Sequence, residues 1–187
     1  MAQTNIVLNA PHALNQNKLG YDQDVGWYAC WVAAAEMVKT ARTPGARVKR
    51  PAFNPARSSD ARIELFLKQE EHLRSLNFSP LGSASKVWSP EAICAALREW
   101  GPLYAYGLFF LDDNNPIFSP VAPTASNRMN GDQHAICIYG ITESFGGVYY
   151  IDPWDAARKQ MSVASFAQRV HPMNSFGVAG CADNRRS

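Results

Sequence analysis

Apolar residues gather first in a stretch from Gly26 to Val38, where Trp31, Val32, Ala33, Ala34 and Ala35 run without a polar break. Alanine is the strongest helix former, so this segment reads as an Ala-rich helix that opens at Cys30. From Asp60 to about Leu76, Ile63, Leu65, Phe66, Leu67, Leu73 and Leu76 recur at near-helical spacing among charges. That pattern predicts an amphipathic helix with His72 on its exposed, charged side. Ser89-Pro90-Glu91-Ala92 is a strong helix start, Ser as N-cap and Pro in the first turn, and Trp100-Gly101-Pro102 stops that helix. Leu103 to Leu111 then reads as a buried strand. His134 enters the β-branched run Ala135-Ile136-Cys137-Ile138-Tyr139-Gly140-Ile141, and Phe145 to Trp154 follows it, which predicts two strands joined by a glycine turn. Arg158 to Val163 predicts a further strand, and Ser165 to Val170 a short turn or helix. The pattern is that of an α+β chain, helical over about 1–100 and sheet-rich over about 101–187, forming one domain over 1–187.

Two connections stand out. Thr43 to Arg57 holds Pro44, Pro51 and Pro55 among several basic residues, and reads as a solvated loop before it reads as a docking site for an acidic partner. Asp112 to Gly131 is a polar, proline-broken connection of about twenty residues, a length that in a folded domain usually signals function or disorder. It is expected either to wall a substrate cleft before His134 or to be a surface excursion. The net charge of +2 calls for no nucleic acid. No run approaches the roughly 18 apolar residues of a membrane span, and Met1-Ala2-Gln3-Thr4-Asn5 lacks a basic n-region with an apolar core behind it. The reading is a protein made in the cytoplasm without a signal peptide, with delivery by a specialised secretion machine left open.

Cys30, Cys94, Cys137 and Cys181 show no CxxC pair or metal-ligand spacing and are read as four thiols. Cys94 and Cys137 fall within a helix and a strand and read as core. Cys30 differs, because the exposed N–H groups and positive dipole of a helix N-terminus favour a thiolate. If the two late strands pair antiparallel, His134 at the start of one and Asp152 at the end of the other share a sheet edge. Thiol, imidazole and carboxylate would then make a nucleophile, its base and the group that orients the base. His171 competes with His134 only if it folds back to the cleft, and His12 is weaker still.

On these residues the chain resembles papain-like cysteine peptidases. Cys30-Trp31 opening an Ala-rich helix is similar to the papain signature, Gln23 stands where that family carries its oxyanion-hole glutamine, and His134 and Asp152 match its histidine and Asn or Asp. Gln16 is the alternative glutamine. The size, the short His-to-Asp spacing and Asp152-Pro153-Trp154 look like the bacterial branch of effector proteases and bacteriocin-leader peptidases. The resemblance implies catalytic Cys30, His134 and Asp152, an oxyanion hole at Gln23, a papain-like fold, no cofactor or metal, and a protein substrate, with Gly-Gly before the cut in the leader-peptidase habit. It also implies an effector or toxin with a cognate inhibitor as partner. The same chemistry would serve a peptidoglycan amidase, a deamidase or another acyltransferase, and a non-catalytic binding module on the same scaffold is the reading from a different class.

Overall fold

A computed structural model describes residues 5–21, 29–52, 61–82, 88–109, 133–142, 147–171 and 176–182. In chain order these form β1 (Ile6–Val7), a 3₁₀ turn (Gln16–Lys18), α1 (Cys30–Arg42), α2 (Ala61–Ser75), β2 (Phe78–Gly82), α3 (Pro90–Trp100), β3 (Leu103–Gly107), β4 (His134–Thr142), β5 (Gly147–Asp152), β6 (Ala157–Ser162), α4 (Val163–Arg169) and β7 (Val178–Cys181). The strands make one sheet in the order β2-β7-β3-β4-β5-β6, with β1 added on β4. All pairings are antiparallel.

The first turns of α1, ahead of Glu36, are apolar all round because they are buried all round, and Met37 and Val38 continue the buried side: Trp31, Val32, Ala33, Ala34, Ala35, Met37 and Val38 are each at most 1% exposed. It packs on the sheet face that presents Tyr104, Tyr106, Ala135, Cys137 and Ile151, and Leu73 of α2 joins the same cluster. On the opposite face, Ile93, Cys94 and Leu97 of α3 and Phe166 of α4 cover Leu103, Ala105, Ile136, Ile138, Val148 and Tyr150. The period-2 alternation of β3 and β4 divides the two cores, since Tyr104 and Ala105, or Cys137 and Ile138, point to opposite sides.

Local chemistry sets the helix ends. Ser89 Oγ accepts from Ala92 N at 3.2 Å, and α3 closes where Gly101, at φ 74°, donates its N–H to Leu97 O at 2.9 Å. Ser162 caps α4 through Ser165 N at 3.0 Å. α1 differs in starting from Ala29, which has no side-chain oxygen to give its first turn.

Several expectations change. The chain's first half contributes β1 and β2 to the sheet, and the strand from Leu103 is described only to Gly107, with Phe110 and Leu111 outside the described residues. His72 is 7% exposed: it shares a stripe with Gln69 and Leu73, three and one residues away, and sets its ring edge-on to Trp31 at 5.4 Å. In the basic connection, Arg50 is tied to Glu36 at 2.8 and 3.0 Å and to Leu19 O at 2.7 Å. The rest of that segment, 53–57, the glycine turn at 143–146 and the long connection, as far as residue 132, lie outside the described residues.

Candidate active site

Cys30 is the first residue of α1 and is 5% exposed. His134 opens β4 and Asp152 closes β5. Cys137 pairs with Ile151, so one step further sets Asp152 opposite Ile136, diagonal to His134 on the same face. Across that diagonal His134 Nε2 meets Asp152 Oδ1 at 2.7 Å. The imidazole also hydrogen-bonds the Cys30 side chain. With Nε2 given to Asp152, that bond falls to Nδ1, and one buried ring joins the sulfur to the carboxylate.

Electrostatics follow from this arrangement. Burial alone would push the His134 imidazolium down, but the Cys30 charge and hydrogen bond, with those of Asp152, outweigh it and carry His134 up to about 9. Burial would push the Asp152 carboxyl up; the hydrogen bond and charge of His134, then Lys159 and the Trp154 N–H, reverse this and hold it at about 2. Both directions describe an imidazolium facing a carboxylate. Tyr104 and Tyr106 lie close enough to feel the Cys30 charge, and burial first, then that charge, raises both phenols. Tyr106 donates to Gln133 Oε1 at 2.6 Å, beside His134, and Gln69 Nε2 donates to the Tyr104 hydroxyl.

His171 does fold back to this end of the sheet, its ring stacked on Tyr106 at 5.7 Å and its N–H on Tyr106 O at 2.9 Å. It is His134, however, that links Cys30 with Asp152. His12 is exposed. Gln23 lies outside the described residues. Gln16 is buried at 1% exposure on the 3₁₀ turn, with its N–H on Pro153 O at 2.8 Å, one residue past Asp152. Asn15 holds the same turn to Trp154 O at 3.1 Å.

The four cysteines are thiols with no disulfide between them, all buried. Burial raises the Cys137 thiol far above its ordinary range, as suits a core residue. Nothing in the sequence marks Lys159, whose ammonium lies 2.7 Å from Asp152 Oδ2; only the β5–β6 register brings it there. Among the described residues no cluster of His, Cys, Asp or Glu is placed to hold a metal ion, and no helix is long and apolar enough to cross a membrane.

A search of curated proteins finds no match to the chain. A family model does match, over residues 15–171, a span that holds Cys30, His134, Asp152 and both glutamines. The match, described as papain-like cysteine protease AvrRpt2, covers most of the length, and the chain belongs to that family of cysteine peptidases.

Proposed function

We propose that Cys30, His134 and Asp152 are nucleophile, base and orienter of a peptidase that cleaves peptide bonds of a protein through a thioester, and that 1–187 acts as one catalytic domain. The observation that carries this reading is the single imidazole hydrogen-bonded to the Cys30 side chain and to Asp152. His134 Nδ1 takes the thiol proton, and Asp152 holds the ring in the tautomer that can do so. The thiolate attacks the scissile carbonyl. The oxyanion is met by the Cys30 N–H at the start of α1 and by a glutamine side chain, Gln23 in the first reading and Gln16 in the second. One such donor is worth about 3 kcal/mol at the transition state. His134 then protonates the leaving amine, and water, deprotonated by the same ring, resolves the thioester.

As to role, the resemblance to the bacterial branch supports an effector or toxin protease delivered into another cell, with a cognate inhibitor in the producer. The test is expression of the active chain and of Cys30→Ala in bacteria, with proteome and cell-wall muropeptides compared. New protein termini made only by the active chain are expected, and if the leader-peptidase habit is shared they follow paired glycines. Altered muropeptides without new termini would move the reading to an amidase. A Cys30 that resists dilute iodoacetamide near pH 6, where ordinary thiols are protonated, would move it to a binding module.

A further inference from the structure

The Asp152 carboxylate has two oxygens, and His134 uses one. Oδ1 accepts from His134 Nε2 at 2.7 Å and from Trp154 N at 2.9 Å, while Oδ2 accepts from the Lys159 ammonium at 2.7 Å. The same ammonium lies 2.9 Å from Asp155 Oδ2. Register explains the meeting: Tyr150 faces Lys159 and Asp152 faces Ala157, so Lys159 is the diagonal neighbour of Asp152 and a long side chain spans the gap. The turn between the strands keeps Ala156 at φ 59°, a conformation alanine seldom adopts, and Asp155 Oδ1 accepts from Ala157 N at 2.9 Å. Asp155 is thereby held beside Lys159.

We propose that Lys159 is a positioning residue of the Cys30 site: its ammonium, shared between Asp152 and Asp155, keeps Asp152 ionised and turned toward His134, and its charge limits how tightly Asp152 holds the imidazolium proton. This rests on the reading of Cys30, His134 and Asp152 as the reacting group. An exposed Lys–Asp pair does little, but these side chains are 24% and 10% exposed and solvent screens them less. The other charged or titratable groups facing the cluster are His134 from β4 with Cys30 of α1 behind it, Asp155 from the turn, and Tyr150 of β5 with Arg169 from α4, whose charge reaches Tyr150 as those of Asp152 and Asp155 do. Arg158, on the same strand as Lys159, acts instead on Tyr139.

The sign of the effect follows. Removing the ammonium makes Asp152 easier to protonate and lets it hold the His134 proton longer. Deprotonation of the imidazolium beside Cys30 then moves to higher pH. Removing the Asp155 charge moves it the other way. The test is the rate of Cys30 alkylation by iodoacetamide against pH, read by mass spectrometry on the full chain. Lys159→Met should raise the alkaline inflection, that of the imidazolium, by about one unit. Lys159→Arg should restore it, and Asp155→Asn should lower it. A role confined to bracing the hairpin would lower the melting temperature and leave the inflection in place. Should Lys159→Met fail to fold, Asp155→Asn decides, because Asp155 is 43% exposed. An inflection unmoved in the folded variants overturns the proposal, whereas a parent Cys30 without enhanced reactivity overturns the reading beneath it.

Discussion

His72 and His134 are both buried, yet pH acts on them in opposite senses. Burial pushes His72 from 6.5 down to about 4, with Glu36 opposing. Its folded value lies below its unfolded one, so the stability of its neutral ring is complete above about 6.5 and drains as pH falls toward 4. His134 is raised to about 9, so its contribution is complete below about 6.5 and is lost as pH rises through 9. Asp152, held at about 2 against an ordinary 3.8, keeps its share above 3.8 and loses it as pH falls from there through 2. The melting temperature should therefore peak near pH 6.5. His72→Phe should flatten the acid side and His134→Gln the alkaline side; a curve unchanged by either substitution would contradict the assignment. In turnover, Cys30→Ala and His134→Ala should each lose about 10⁵-fold or more, and Asp152→Ala on the order of 10²- to 10⁴-fold. The donor glutamine is whichever of Gln16→Ala and Gln23→Ala lowers kcat about a hundredfold with KM little changed. Cys30, His134 and Asp152 were legible in the sequence because each stands at an element end that the hydrophobic pattern marks. His72 was misread because Glu70, Glu71 and Arg74 hide the stripe of Gln69, His72 and Leu73. Lys159 could not be found without the register of a hairpin.

Among the elements, β3 shows how closely the backbone is fitted at the site's end of the sheet. Gly107 pairs with His134 on one side and bridges Val170 on the other. A Cβ there would run into the Arg169 carbonyl, which accepts from Leu108 N at 2.8 Å. Gly107→Ala should cost about 2 kcal/mol or more in urea unfolding, as overpacking does, and should lower activity beyond that loss by displacing His134. An alanine variant with the parent's midpoint would contradict the packing. α1 was readable from its Ala-rich composition, α3 from its caps, and β4 and β5 from their apolar runs bounded by turn residues. β1 has two residues, too few for any period, and β2 carries Pro80 and Gly82 at a register shift, the residues that argue against a strand.

Across the whole molecule, Arg50 joins parts that the sequence keeps apart. It clasps Glu36 on α1 and the Leu19 carbonyl before the site, and Tyr21 donates to Pro51 O at 2.8 Å. The guanidinium is 37% exposed, so after solvent screening the ion pair contributes no more than about 1 kcal/mol. Arg50→Ala should therefore lower kcat severalfold while moving the melting temperature only slightly, because the tether holds α1, which begins at Cys30, to a segment earlier in the chain. An equal loss of both would make it a stability contact alone. Strand order lay furthest from the sequence. Pattern marks where strands are, but nothing along the chain says that β7 enters between β2 and β3.

That insertion sets a clock on synthesis. Cys30 leaves the ribosome well before Val178 to Cys181, and until that strand emerges β2 has no partner to join it to the sheet on which α1 packs. A nascent chain stopped before Val178 should be digested readily by added protease and should show no turnover, so activity waits on a strand made after every residue of the Cys30 site.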